Sequence, residues 1–167
     1  MTSLGSRLLK IGGGLSFAIA CFHIMVIIIG VPAYRFFSGI GDELADKVEA
    51  GSVLPALITL LIALVFVIFG VYALSGAGVI RRLPLLRTGL ISIGSIYLLR
   101  GLMNFPFWLT LTPATFPSAT QGLVFDAISL TIGLLYICGT AMNWRNLRTA
   151  ADSLASMPKH INTGGSE

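Results

Sequence analysis

Four long apolar segments constrain the fold of this chain more than any other feature of its sequence. They cover roughly residues 11–31, 53–77, 84–107 and 119–142, and each reaches the ~20 residues that cross the hydrocarbon core of a bilayer. An isolated strand in lipid would leave its backbone polar groups unpaired, so we predict that all four segments are helices. The composition agrees, because 55% of the residues are hydrophobic and only 11% are charged. The sequence therefore predicts an all-α integral membrane protein, a four-transmembrane-helix antiparallel bundle.

Little sequence remains outside these segments, which predicts a single transmembrane domain over residues 1–150. Residues 151–167, which end in "NTGGSE", are predicted to form a flexible cytoplasmic tail. The formal net charge is +4, but the basic residues are divided among short segments and form no continuous basic face. We therefore expect no nucleic-acid partner, and we expect any function to lie in the bundle or its loops.

The basic residues also predict which way the chain crosses the membrane. They precede the first apolar segment, flank the connection between the second and third, and follow the fourth: Arg7, Lys10, Arg81, Arg82, Arg87, Arg145 and Arg148. By the positive-inside rule, these places and both termini are predicted on the cytoplasmic side of the plasma (inner) membrane. The first connection contains the mostly acidic "GDELADKVEAG", which predicts a short amphipathic helix on the outer side, ended by Gly51.

Polar side chains recur on one face of three predicted helices. At i±3 and i±4 spacing, the relevant face of the third helix carries Gly89, Ile93, Tyr97, Arg100 and Asn104. The corresponding face of the fourth helix carries Gly122, Asp126, Ser129, Gly133 and Thr140, and that of the first carries Gly12, Ser16, Ala20, His23, Ile27 and Gly30. Small residues let membrane helices approach closely, so we expect His23, Arg100 and Asp126 to face the bundle interior.

These three ionisable residues are also predicted to share one depth. Counted from the outer ends of their helices, all three lie roughly 10–12 Å below the outer surface. Arg100 and Asp126 belong to consecutive antiparallel helices, so we predict that they pair directly. An unpaired charge near the bilayer centre costs about 2.5–3.5 kcal/mol or more, which favours such a pair.

Two interpretations of this layer remain open. In one, the layer is a site, where Arg100 binds an anionic head group and His23 carries a proton. In the other, the pair only fixes which helices meet, and His23 donates one hydrogen bond to a nearby carbonyl, which is the favoured role for His23 taken alone. The candidate ligand-binding or proton-carrying residues are His23, Tyr97, Arg100, Asn104, Asp126 and Ser129.

The preferred function is binding or passage of a small ligand, a proton or a lipid head group at this layer. The main alternative is an accessory or assembly subunit, as part of a homo-oligomer or a larger membrane complex. A lipid-modifying enzyme is less favoured, because His23 has no evident second catalytic group. In "CFHIM", Cys21 and His23 point about 200° apart on a helix, so we expect no metal site and no cofactor, with membrane lipid as the main partner.

Overall fold

The computed structural model describes residues 3–37, 41–103 and 116–147, and within these ranges every regular element is helical. The elements are α1 (Leu4–Ile29), α2 (Val31–Phe37), α3 (Gly41–Glu49), α4 (Leu54–Gly76), α5 (Leu86–Leu102), α6 (Phe116–Met142) and a short 3-10 helix (Trp144–Leu147). The predicted all-helical class is confirmed for this part of the chain. Asn104, most of the connection between the third and fourth apolar segments, and the predicted tail lie outside the described residues.

Three of the helices are long and apolar enough to cross a membrane. They are α1, α4 and residues Gly122–Met142 of α6, with 26, 23 and 21 residues. Helix α5, in the third apolar segment, has 17 residues and rises about 25 Å. The described chain is therefore all-helical and has the composition of a membrane-embedded protein.

Three helix starts differ from the sequence prediction, two of them for a local reason. Helix α6 begins at Phe116, three residues before the predicted start at 119. Helix α1 begins at Leu4, earlier than predicted, because the Ser3 hydroxyl accepts a hydrogen bond from the Ser6 amide at 3.2 Å and caps the first turn. Helix α5 begins at Leu86 rather than at Pro84. Leu85 has a left-handed φ of 53°, which interrupts the helical path directly before Leu86.

The long helices pack through glycines that bring their backbones together. A Cβ atom on Gly13 of α1 would lie 2.9 Å from the Ala73 Cβ atom on α4. The same close approach joins α5 to α6, where Gly94 faces Ile137, Leu98 faces Gly133 and Gly101 faces Leu130. Helix α1 contacts both α4 and α6, so it lies next to both. Small residues at these contacts allow the backbone approach that membrane helices use.

Helices α2 and α3 form a small unit beside the C-terminal end of α1 and the N-terminal end of α4. Val26 of α1 is buried with Ala33, Tyr34 and Ala45 in a separate small core. The Tyr34 hydroxyl lies 2.9 Å from the Thr59 hydroxyl, which attaches α2 to α4. Helix α3 corresponds to the predicted amphipathic helix, with the side chains of Glu43, Asp46 and Glu49 exposed.

Candidate functional site

Arg100 and Asp126 meet where α5 contacts α6. The Arg100 Nη1 atom donates a hydrogen bond to Asp126 Oδ1. The two side chains are exposed to very different degrees, since Asp126 is fully buried whereas 44% of the Arg100 side chain is exposed. Arg100 therefore faces the bundle interior only in part, since its carboxylate partner is buried and 44% of its own side chain is exposed.

The glycine that follows Arg100 explains why the two helices come so close at this point. A Cβ atom on Gly101 would lie 2.8 Å from the backbone oxygen of Asp126 and 2.5 Å from Leu130 Cγ. A larger residue at position 101 would push α5 away from α6, because packed interiors accommodate extra volume poorly. Gly101 is therefore a positioning residue for the ion pair.

A second polar cluster, formed by the hydroxyls of Ser16, Tyr97 and Tyr136, lies deeper among the helices. The Ser16 hydroxyl oxygen is 2.9 Å from the hydroxyl oxygens of both tyrosines. The Tyr136 hydroxyl donates to the Phe69 carbonyl at 2.9 Å. All three side chains are buried. Ser16 belongs to α1, Tyr97 to α5 and Tyr136 to α6, whereas Phe69 belongs to α4. We call this group the hydroxyl cluster.

The protons of the hydroxyl cluster can be assigned from the acceptors. A carbonyl oxygen only accepts, so the Tyr136 proton points to Phe69. The one Ser16 proton goes either to the Gly12 carbonyl oxygen, 3.0 Å away, or to the Tyr136 hydroxyl oxygen. In both cases the contact between Ser16 and Tyr97 needs the Tyr97 proton. Each hydroxyl proton is thus used inside the protein, and the chain of donors ends at a backbone carbonyl.

His23 makes its hydrogen bond within its own helix, to a nearby carbonyl. Its Nδ1 atom lies 2.8 Å from the Ile19 carbonyl oxygen, so Nδ1 carries the proton in this contact. The imidazole packs against the ring of Phe66, with centroids 5.2 Å apart, and against the ring of Phe22 at 5.9 Å. Within the described residues no hydrogen bond joins His23 to Arg100 or Asp126.

Of the remaining candidates, Tyr97 belongs to the hydroxyl cluster, and the Ser129 hydroxyl donates to the Phe125 carbonyl of its own helix at 2.9 Å. Asn104 lies outside the described residues.

Sequence reasoning missed Tyr136 and Gly101. A signal for Tyr136 was present, because it continues the spacing of the polar face of α6, whose members are Asp126, Ser129, Gly133, Tyr136, Thr140 and Asn143.

Two surface clefts lie away from the ion pair. One, of about 300 Å³, is an apolar groove lined by isoleucines of α1 and leucines of α4. The other, of about 270 Å³, is lined in part by Ser3, Ser75, Arg82 and Asn143. The Ser3 hydroxyl donates to Asn143 and the Ser75 hydroxyl to a backbone carbonyl, so these groups already have partners within the protein. In the described part of the chain, no group of three or more His, Cys, Asp or Glu side chains could hold a metal ion.

Comparisons with protein-family models, with characterised proteins and with solved structures found no match. The fold and the ion pair therefore define this protein by class alone, as an all-helical chain with three helices suited to a membrane.

Proposed function

We propose that this protein binds a small anionic ligand at Arg100 in the outer half of a membrane-embedded helical bundle. The observation that supports this function is the unequal exposure of the ion pair. Asp126 is buried and fixes one guanidinium nitrogen of Arg100, while 44% of the Arg100 side chain stays exposed. An arginine held in this way presents several N–H donors in a fixed plane, which suits carboxylate and phosphate groups.

The proposal includes four membrane spans, with α5 as the third, and both termini on the cytoplasmic side of the plasma membrane. The paired contacts of α5 and α6 support an antiparallel arrangement, because residue numbers rise along one helix as they fall along the other. Single cysteines placed at the exposed positions Glu43 and Arg82, in a Cys21→Ala/Cys138→Ala background, test the orientation. An impermeant thiol reagent outside intact cells should label position 43 and not position 82; the reverse pattern would invert the topology.

The ligand-binding function is tested by purification in mild detergent followed by native mass spectrometry. We expect a bound species on the wild-type protein whose occupancy falls about tenfold in Arg100→Gln, since a charge-assisted hydrogen bond is lost. Arg35→Gln is the matched control, because Arg35 is similarly exposed and pairs with Glu49 at 2.8 Å, away from the site. Equal occupancy in wild type and Arg100→Gln would reject the proposal.

His23 is retained as a candidate proton carrier at this layer, but its contacts favour a structural role. A proton-carrying His23 predicts that His23→Gln removes a pH dependence between about pH 5.5 and 7.5 from ligand binding or flux and leaves thermal stability nearly unchanged. A structural His23 predicts lower thermal stability with an unchanged pH profile, because the bond to Ile19 and the packing on Phe66 are lost.

The second candidate function is that of an accessory subunit in a larger membrane complex. It is favoured by the outward face of α5, where Thr88, Ser92 and Ser95 are exposed, whereas the exposed residues of α4 are mostly leucine, isoleucine and valine. Hydroxyls and small residues are common where membrane helices associate. Under this function, Ser92→Leu should remove a co-purifying protein without affecting the species bound at Arg100. A lipid-modifying enzyme remains the least favoured class.

A further inference from the structure

We propose that the anion bound at Arg100 is amphiphilic: an oxyanion that carries acyl chains and reaches the arginine from the bilayer side of α5. This inference rests on the proposed function and names the class of its ligand. Exposed apolar side chains lie next to Arg100. Ile96 and Leu99 lie on α5, one turn before Arg100 and directly before it, and they are 52% and 71% exposed. Met103, which directly follows α5, is 65% exposed. The cation therefore has exposed apolar side chains as its nearest neighbours along α5.

The interior of the bundle next to Arg100 is closed. One turn along α5, Tyr97 is 3% exposed and its ring packs against the rings of Phe66, Phe69 and Tyr136, with centroids 5.7–5.9 Å apart. Its hydroxyl is bonded to Ser16. The Tyr97 ring and hydroxyl are thus occupied by contacts within the protein and offer nothing to a ligand of Arg100. This geometry disfavours passage through the layer and favours lateral binding.

The guanidinium sets the chemistry of the head group. Asp126 accepts from Nη1, and the other guanidinium nitrogens have no partner among the described residues. The edge formed by Nε and Nη2 carries two roughly parallel N–H groups, which match two oxygens of one phosphate or carboxylate. Both a phospholipid and a fatty acid offer such oxygens together with acyl chains. These chains would cover the exposed side chains of Ile96, Leu99 and Met103, and water would be excluded from apolar surface.

The test compares two anions that carry acyl chains with one that does not. Purified protein in mild detergent is titrated with dioctanoyl phosphatidylglycerol, with octanoate and with glycerol 3-phosphate, and native mass spectrometry measures the bound fraction. We expect one or both of the chain-bearing anions to bind at least about tenfold more tightly than glycerol 3-phosphate, because only they bury apolar surface. The two chain-bearing probes identify which head group is preferred.

Variants separate this inference from the proposed function. In Arg100→Gln, binding of the chain-bearing anion should weaken about tenfold, and in Arg100→Lys about threefold, since lysine keeps the charge but lacks the planar fork. Arg100→Gln leaves the buried Asp126 carboxylate without its cation and can impair folding. The double variant Arg100→Gln/Asp126→Asn replaces both charges with neutral groups, so it should fold and still not bind the chain-bearing anion. Leu99→Ala should weaken binding about twofold, whereas Leu57→Ala, at a 52% exposed position of α4, should have no effect.

Each outcome has a defined meaning. If glycerol 3-phosphate binds as tightly as the chain-bearing anions and its binding depends on Arg100, the ligand is a soluble anion; the further inference then fails and the proposed function stands. If binding of all three probes is the same in wild type and in the folded double variant, both fail. Equal binding in Arg100→Lys and wild type would overturn the two-point contact with the guanidinium edge.

Discussion

The hydroxyl cluster and the Arg100–Asp126 pair are neighbours on α5 but are held in opposite ways. Tyr97 and Arg100 are three residues apart, a rise of about 4.5 Å along the helix. The hydroxyl cluster joins all four long helices, and its side chains are almost completely buried. The ion pair joins only α5 and α6, and one of its two members is partly exposed.

This difference in burial distinguishes a polar group that only supports the fold from one that has donors left for a ligand. In the hydroxyl cluster every proton is donated to an acceptor within the protein, so nothing is left to bind a ligand. At the ion pair, Asp126 uses only one edge of the guanidinium. A buried polar group in a membrane must find partners inside the protein, whereas a partly exposed one can find them in a ligand or a lipid.

The largest expected effect on stability is that of Arg100→Gln. It should lower the free energy of unfolding by about 2–3 kcal/mol, because the fully buried Asp126 carboxylate loses its cation. Steric-trap unfolding in bicelles measures this difference. The double variant Arg100→Gln/Asp126→Asn should recover part of the loss, with a coupling energy above about 1 kcal/mol. Strict additivity of the two single losses would show that the residues do not interact.

Gly101→Ala should have the next largest effect. The added methyl would overlap Leu130 and the Asp126 backbone, which should cost about 1–3 kcal/mol and move Arg100 away from its partner. Gly122→Ala is the matched control on α6, since a Cβ atom there meets nothing within 4 Å. Thermal unfolding in detergent compares the two. A loss of similar size in both variants would point to a general effect of alanine and not to the close approach at position 101.

Tyr136→Phe should destabilise the protein by about 1 kcal/mol and leave ligand binding at Arg100 unchanged. It removes the hydroxyl that bridges Ser16 and the Phe69 carbonyl. Tyr72→Phe removes the same atom from a half-buried tyrosine outside the hydroxyl cluster and should cost less. Chemical unfolding and native mass spectrometry of the same samples check both parts. A marked loss of binding in Tyr136→Phe would mean that the two polar regions act together.

The smallest effect is expected for Asp126→Asn, at about 0.5–1 kcal/mol. Arg100 stays partly exposed and can reach polar head groups, and asparagine keeps an oxygen that accepts its hydrogen bond. The two partners should therefore differ, with the arginine the more costly to replace. Equal losses from Arg100→Gln and Asp126→Asn would mean that both groups are buried alike in the membrane.

Much of the fold follows from the sequence, because apolar length and helical spacing depend only on residue order. Spacing and depth could bring Arg100 and Asp126 to neighbouring positions, but they gave no indication of which side chain is exposed. Exposure depends on how far α5 is rotated against α6, and that rotation is set by close contacts such as the one at Gly101. The hydroxyl cluster was harder to anticipate, since it requires three side chains and a carbonyl from four helices to converge. The left-handed Leu85 has no signal in its residue type.

Under the proposed function, the length of α5 would make ligand binding depend on the thickness of the bilayer. Its 17 residues rise about 25 Å, against ~30 Å for the hydrocarbon layer of a typical bilayer. In the proposed four-span arrangement, the bilayer beside this short helix must thin, whereas α1, with 26 residues, needs no such adjustment. Arg100 lies in the last turn of α5, so local thinning moves outer head groups towards the guanidinium. The same protein would then hold its ligand more readily in a thin bilayer than in a thick one, so that bilayer thickness regulates occupancy without any change in the protein.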